Sequence, residues 1–301
     1  MTRSGRPLPP LLIFSVAVLG IAVFSCMDAV MKQLVLAIGA YAALLWRSIA
    51  GVAVSGLLYA VQRPALPSRA ALVLHLVRGL VSSGMAVTFF WGLARIPMAQ
   101  AVALTFIAPL LSLFLSAALL GERLSRRAIL ASLIALAGVG MILLGHAQAK
   151  LGPEALRGAL AVLFSALCYA FNIVLMRRQA QEAGPVEVAF SQSLVVALVL
   201  ACGAPWFADV PDVRHAPLIL LAAVLAVVSL LLLAWAYARG EANYLSPSEY
   251  TAFVWASLFG WLLFGEHVAR LTLAGAAMII AGCVIAARQR PPAILDAEAA
   301  Y

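Results

Sequence analysis

The chain carries the stretch ARIPMAQAVALTFIAPLLSLFLSAALLGERLS at residues 94–125. It contains a short polar connection, an apolar run, a Gly-Glu pair and the start of another helix. The run is long enough to cross a bilayer, which takes about 20 mostly apolar residues. The same layout returns 144 residues later, where Gly121-Glu122 falls on Gly265-Glu266 without a gap. The chain is therefore predicted to consist of two copies of one unit.

Composition indicates a membrane protein. Of 301 residues, 65% are hydrophobic and 11% are charged, and the mean hydropathy is +1.05, whereas soluble domains carry about 25% charged residues. Backbone polar groups in lipid must pair within their own segment, so the spans are predicted to be helices. Ten apolar segments are predicted: 10–31, 40–61, 70–93, 98–120, 126–146, 157–176, 186–207, 216–238, 245–264 and 271–287.

The sequence argues against several classes of function. The net charge of +8 is explained by loop cations, and no basic patch interleaved with aromatic residues indicates nucleic-acid binding. The four cysteines have neither CxxC nor Cys/His spacing, so we expect no disulfide, metal or other cofactor. No HExxH, P-loop or GxSxG motif occurs in a supporting context, so the protein is not expected to be an enzyme.

Loop charges predict the orientation. With ten spans, twelve of the loop cations lie on the side of both termini and six on the other. Cytoplasmic loops carry the excess of Lys and Arg, so both termini are predicted to be cytoplasmic in a bacterial-type inner membrane. Five helices per copy invert the second copy, and the loop charges swap accordingly: Arg123, Arg126 and Arg127 correspond to Arg270 alone.

The predicted fold class is all-α integral membrane, with ten transmembrane helices as two inverted five-helix repeats. The predicted units are residues 10–146 and 157–287, followed by a disordered cytoplasmic tail at 291–301. Inverted repeats of this kind are the architecture of many secondary transporters.

The residues also resemble a known family. Arg95-Ile96-Pro97, Pro109 and the LGERLS run at 120–125 look like the EamA repeat of the drug/metabolite transporter superfamily, and residues 237–266 look like its second copy. The resemblance covers nearly the whole chain. It implies ten helices, two EamA units and solute exchange across the inner membrane.

Ionisable residues inside the spans are the first candidates for the site, because charges are costly there. Asp28 and Arg47 are predicted to pair in the outer half, with Lys32 as a rival partner, and Arg78 and Glu249 in the inner half. These charges either bind a charged or zwitterionic solute or a coupling proton, or they form ion pairs that hold helices together.

Polar and aromatic residues extend the predicted substrate-binding set. Tyr244, Ser248, Thr251 and Trp255 recur at helical spacing on one face of the ninth span. The alternative for single aromatic residues is interfacial anchoring. The full predicted set is Asp28, Arg47, Arg78, Tyr169, Asn172, Glu249, Tyr250 and Trp255.

The Gly-Glu pairs are predicted to be structural. Glu122 and Glu266 each precede a helix, where a carboxylate favours the helix dipole. The glycines Gly138, Gly140, Gly275 and Gly282 are predicted to allow close helix packing.

The expected function is a secondary transporter of a small polar organic metabolite, an amino acid or related compound, working by alternating access. A nucleoside- or vitamin-like solute, of the S-adenosylmethionine or riboflavin type, is the rival. An integral-membrane enzyme on lipid-linked substrate and a structural subunit are less favoured. The expected partners are the solute and the lipid bilayer; proton coupling, and monomer or homodimer, stay open.

Overall fold

The computed structural model describes residues 9–62, 67–120, 126–148, 152–239, 245 and 248–287. The first half contains α1 (Pro10–Ile38), α2 (Ala40–Gln62), α3 (Arg69–Leu93), α4 (Met98–Thr105), α5 (Ala108–Leu120) and α6 (Arg126–Gln148). The second half contains α7 (Pro153–Glu182), α8 (Pro185–Phe207), a 3-10 turn (Val213–His215), α9 (Ala216–Tyr237), α10 (Thr251–Phe264) and α11 (Arg270–Ala287).

The predicted fold class is confirmed. The described residues contain six helices that are long and apolar enough to cross a membrane, and four shorter apolar ones. Two predicted segments end too early. The sixth was predicted to end at residue 176, but α7 runs on to Glu182, so Gln179 lies inside the helix. The first segment was predicted to end at residue 31, but α1 runs on to Ile38, so Lys32 lies inside the helix and is buried.

Helix ends follow local sequence signals. Gly39, with φ of 79°, separates α1 from α2, and this is a conformation that glycine adopts without strain. Ser68 caps α3, since its hydroxyl accepts a hydrogen bond from the Ala71 backbone N–H at 3.0 Å. Pro153 and Pro185 begin α7 and α8 at the first helical position, where a missing N–H costs nothing.

The fourth predicted segment is broken. Residues 98–120 were predicted as one span, but α4 ends at Thr105, and Phe106 and Ile107 form a turn before α5. Pro109 explains the break, because it has no N–H to bond the carbonyl of Thr105 and its ring crowds that carbonyl.

The second copy breaks at the matching place. Tyr250, which is Phe106 shifted by 144, forms a turn between the helical residues 248–249 and α10. Phe253 stands where the first copy has Pro109, and the nearest proline before it, Pro247, lies outside the described residues. The two breaks meet: the Phe106 and Tyr250 rings lie edge to face with centroids 5.5 Å apart.

The two halves pack through pairs of contacts that are related to each other by the 144-residue shift. α6 crosses α11, and a Cβ added at Gly138 would lie 2.6 Å from the carbonyl oxygen of Gly275. At Gly282 it would lie 2.6 Å from the carbonyl oxygen of Ala131, which is the same contact shifted by 144. The packing role is confirmed for these glycines and wrong for Gly140, which has nothing within 4 Å.

Candidate functional site

Arg78 is held by polar side chains of α7. Its Nε donates to Asn172 Oδ1 at 2.7 Å, and its Nη1 donates to Gln179 Oε1. Asn172 in turn donates from Nδ2 to Ser82 Oγ at 2.5 Å. The structure therefore brings together Arg78 and Asn172, two residues of the predicted set.

The chain of hydrogen bonds continues beyond Gln179. Its amide nitrogen lies 2.6 Å from His75 Nδ1, and His75 Nε2 lies 2.9 Å from Glu187 Oε1. Glu187, near the start of α8, lines a cavity of about 380 Å³. A buried polar chain thus joins this cavity to Arg78.

Sequence reasoning missed His75, Gln179 and Glu187. A usable signal was present, because His75 precedes Arg78 by three positions and therefore shares its face of α3. Likewise, Gln179 follows Asn172 by seven positions on α7, so their side chains point the same way. Gln179 lies beyond residue 176, where the sixth segment was predicted to end, so it was not expected within a span.

Glu249 has a different partner from the one predicted. Its exposed carboxylate accepts a hydrogen bond from Tyr237 at 2.7 Å. The predicted Arg78–Glu249 ion pair is wrong, because no Arg78–Glu249 contact within 4 Å occurs in the described part of the chain. Arg78 is instead hydrogen-bonded to the side-chain amides of Asn172 and Gln179 on α7. Tyr169, which is 38% exposed, interacts electrostatically with both Arg78 and Glu249.

Asp28 and Arg47 interact electrostatically, but the predicted ion pair is not formed, because no contact within 4 Å joins their charged groups in the described part of the chain. Asp28 Oδ1 and Arg47 Nε are buried and have no hydrogen-bond partner among the described residues. Their assignment as solute ligands stays a prediction. Lys32, the predicted rival partner for Asp28, is hydrogen-bonded to Glu266 and Ile96 instead.

Lys32 joins the two halves through Glu266. Its ammonium donates to the Glu266 carboxylate and, at 2.8 Å, to the Ile96 carbonyl oxygen. The second oxygen of Glu266 accepts from the backbone N–H of Met98, the first residue of α4, at 2.7 Å. Glu266 was predicted to cap the helix that follows it in sequence; instead it caps a helix of the other repeat. Its counterpart Glu122 lies outside the described residues.

The aromatic candidates line the second helix break. Tyr250 forms the turn itself, and Trp255 stacks on Phe259 with centroids 6.4 Å apart. The Trp255 Nε1 and the Ser248 hydroxyl are buried with no hydrogen-bond partner within the ranges described. Tyr244, predicted on the same face, lies outside those ranges. Irregular backbone with unpaired donors at membrane depth is found where a cavity is lined.

Comparison with known proteins places this geometry in a family. Residues 11–144 and 156–288 each match the model of the EamA-like transporter family. The chain is 28% identical to the pseudopaline exporter CntI of Pseudomonas aeruginosa (strain UCBPP-PA14) over 276 residues, which cover 91% of this chain and 95% of that protein. It is 24% identical to the S-adenosylmethionine uptake transporter of Rickettsia bellii (strain RML369-C), over 68% of this chain and 69% of that one. A solved protein structure shares the fold with a TM-score of 0.59, at 22% identity over 92% of this chain and 96% of that one.

Proposed function

The chain belongs to the EamA-like transporter family, and from that premise we propose that it is a secondary transporter of an amino acid or a related small metabolite. It would carry a solute with both a carboxylate and an amino group across a bacterial-type inner membrane, with both of its termini in the cytoplasm. The observation that carries the proposal is a pair of opposite charges: Arg78 and Glu249 have separate polar partners, do not pair with each other, and both interact electrostatically with Tyr169.

The charges suit a zwitterion. Arg78 uses Nε and Nη1 for its α7 contacts, and no hydrogen bond to its Nη2 occurs within the described residues. A guanidinium binds a carboxylate through two parallel N–H donors, so Arg78 takes the acid end of the solute. Glu249, an acceptor when ionised, takes the ammonium end.

The helix breaks suit alternating access. Arg78 comes from the first repeat and Glu249 from the second, so a solute that bridges them bridges the two halves. The breaks at Phe106 and Tyr250 touch each other where the halves meet. Transporters with inverted repeats bind solute near such discontinuous helices, and rocking of the halves exposes the site to either side in turn.

A nucleoside- or vitamin-like solute is the second candidate. The observation that favours it is Trp255, whose Nε1 is buried without a partner in the described part of the chain and whose ring stacks on Phe259. A heterocycle could stack there and accept a hydrogen bond from that nitrogen. One relative is named for uptake of S-adenosylmethionine, which has a heterocyclic base as well as an amino-acid end.

The test is counterflow of radiolabelled solutes into proteoliposomes that contain the purified protein. We expect exchange of at least one amino acid, and competition by S-adenosylmethionine or riboflavin only if the second candidate is right. Arg78→Gln and Glu249→Gln should each lower exchange about 10-fold or more, since charge-assisted hydrogen bonds contribute about 1.5–3 kcal/mol.

Matched controls are available in exposed charges. Arg214→Gln removes a guanidinium at the 3-10 turn, and Glu182→Gln removes a carboxylate at the end of α7. Both should exchange solute like the unmodified protein. The proposal is refuted if neither amino acids nor the larger solutes exchange, or if Arg78→Gln and Glu249→Gln match their controls.

A further inference from the structure

The side-chain amide of Gln179 lies between His75 and Arg78 and is 1% exposed. Its orientation follows from chemistry. A guanidinium carries donors only, so the amide atom that faces Arg78 Nη1 has to be the oxygen. The amide nitrogen therefore faces His75 Nδ1, at 2.6 Å.

This orientation fixes the proton on His75. An amide nitrogen only donates, so Nδ1 must accept. An imidazole that accepts at Nδ1 is neutral and carries its proton on Nε2. Nε2 lies 2.9 Å from Glu187 Oε1, so the neutral ring donates to that carboxylate.

A second proton on His75 breaks this arrangement. Both ring nitrogens then donate, and Nδ1–H points at the amide nitrogen of Gln179, which also donates. The two nitrogens are 2.6 Å apart, which leaves no room for a water molecule between the donors. An unsatisfied buried donor is costly, and the amide escapes the clash by turning over so that its oxygen accepts from Nδ1–H.

The turned amide releases Arg78. Its nitrogen now faces Nη1, which has lost its acceptor, while Nε keeps its bond to Asn172 Oδ1. Nη1 and Nη2 together then form the two-pronged donor that a carboxylate fits. Protonation of His75 turns the Gln179 amide and leaves Arg78 Nη1 without an acceptor, and a bound carboxylate supplies one. Conversely, a carboxylate already bound at Arg78 makes the turned amide, and so the protonated His75, less costly.

We propose that His75, Gln179 and Arg78 form a proton-operated switch, in which a proton on His75 frees Arg78 to bind the carboxylate of the transported solute. The switch rests on the proposed function, because it takes Arg78 as the solute's carboxylate site. Linkage makes the effect mutual: the proton tightens solute binding and the solute tightens proton binding by the same factor. The protein is then a proton-coupled transporter in which the proton and the anionic group travel together.

The charged surroundings give the proton a route. From α8, Glu187 faces His75 directly, and from α7 only the neutral Gln179 does so among the described residues, with Arg78 beyond it. Glu187 lines the 380 Å³ cavity together with Tyr59 of α2 and Arg239 after α9. A proton thus passes from the cavity to Glu187 and then to His75, while Arg239 and Arg78 are the cations that oppose its entry.

Transport kinetics test the switch. The apparent affinity of reconstituted protein for a mixture of ¹⁴C-labelled L-amino acids would be measured between about pH 5 and about pH 8, the range in which imidazole titrates. We expect affinity to rise about 10-fold toward acid in the unmodified protein, and to vary little with pH in His75→Gln. Gln179→Glu, with two acceptor oxygens for His75 and Arg78 at once, should also lose the pH dependence. His215→Gln, which removes an imidazole at the start of α9, is the control that should keep it.

A second readout does not depend on transport. Nitrogen NMR of labelled protein in nanodiscs, with His75→Gln to assign the ring, should show the proton on Nε2 at high pH. The Arg78 guanidinium signals should shift when His75 gains its second proton, and this link should vanish in Gln179→Leu.

The outcomes separate the two proposals. If no amino acid is transported but Arg78 responds to His75, the proposed function fails and the switch stands as a proton-driven change at Arg78. If transport occurs but its pH dependence survives in His75→Gln, or Arg78 does not respond to His75, the switch is overturned and the transporter remains. Loss of folding in His75→Gln, visible in its melting temperature, would leave Gln179→Glu to decide by the same criteria.

Discussion

At the scale of single residues, Lys32 shows how a charge is kept inside the membrane part of the chain. Lys32 is 4% exposed, and its ammonium is satisfied by the Glu266 carboxylate, the Ile96 carbonyl and the face of the Phe264 ring, 5.2 Å away. Removing one partner of a buried pair leaves the other charge uncompensated, whereas removing both avoids that cost.

Lys32→Met should therefore destabilise the protein by about 3–5 kcal/mol. The double variant Lys32→Met/Glu266→Gln should recover part of this loss, because no unpaired carboxylate remains. Unfolding in detergent by denaturant measures both. Arg157→Gln breaks an exposed ion pair with Glu154 and should cost no more than about 1 kcal/mol; a Lys32→Met variant no less stable than this control would contradict the assignment.

Tyr237→Phe tests the orientation of Glu249. The change removes the hydroxyl that donates to the carboxylate at 2.7 Å and leaves the ring in place. A hydrogen bond to a charged group contributes about 1.5–3 kcal/mol, so the apparent affinity for amine-bearing solutes should change about 10-fold or more. Tyr41→Phe, which removes a hydroxyl that donates to the Leu200 carbonyl oxygen, is the control. Equal affinities in the two variants would show that the hydrogen bond does not serve the solute.

The sequence identified two members of one polar cluster, but it did not identify their partners correctly. Arg78 and Asn172 were both singled out and are hydrogen-bonded to each other. Arg78 was paired with Glu249 because depth along the helix was the only coordinate at hand, and depth does not say which helices adjoin. Gln179 was missed because the sixth segment was predicted to end at residue 176, whereas α7 continues to Glu182 and brings Gln179 into contact with both Arg78 and His75.

At the scale of elements, two devices organise the bundle: a break in one helix of each repeat, and a glycine crossing between α6 and α11. The crossing brings backbones together, because hydrogen is the only side chain at Gly138, Gly275 and Gly282. Pro109 accounts for the first break, but the uninterrupted apolar run at 98–120 led to the prediction of a single span there. The second break has no proline at the equivalent position, because Phe253 stands there. Only alignment with the first copy indicates that a break belongs at Tyr250.

Gly275→Val should destabilise the crossing. An added Cβ would lie 2.6 Å from Ile142 Cγ1 and also close to the Gly138 carbonyl, so the helices would have to separate. Overpacking of this kind costs about 1–3 kcal/mol. Gly140→Ala, on α6 with nothing within 4 Å, should instead be neutral or stabilising by about 0.5–1 kcal/mol through helix propensity. Thermal melting of both variants in the same detergent makes the comparison, and equal melting temperatures would refute close packing at Gly275.

At the scale of the whole molecule, the sequence predicted the architecture because the repeat multiplies weak signals. A single short apolar helix such as α10, Thr251–Phe264, is too short to be assigned to a membrane by itself. Its alignment with the first copy supplies the missing evidence. The orientation in the membrane rests on loop charge alone, and Lys32, counted among the outer loop cations, belongs inside α1, which widens the charge difference between the two sides.

Cysteine labelling tests this orientation. In a background with the four native cysteines replaced, Asp212→Cys, before the 3-10 turn, should react with a membrane-impermeant maleimide on intact cells. Glu182→Cys, at the end of α7, should react only after the membrane is permeabilised. The two positions lie at opposite ends of α8 and are separated by its length, so they cannot share a side if α8 spans the bilayer. The reverse labelling pattern would place the termini outside.

The crossing of α6 and α11 has a consequence for ancestry. Shifted by 144 positions, its contact between Gly138 and Gly275 becomes the contact between Gly282 and Ala131, so the crossing is its own image. Two unlinked copies of one five-helix protein, inserted in opposite directions, would form the same crossing as a homodimer. Duplication and fusion of one gene would then require no new interface between the copies. After fusion each copy could change independently, and equivalent positions now differ, as Asp28 differs from Asn172 and Glu249 from Thr105.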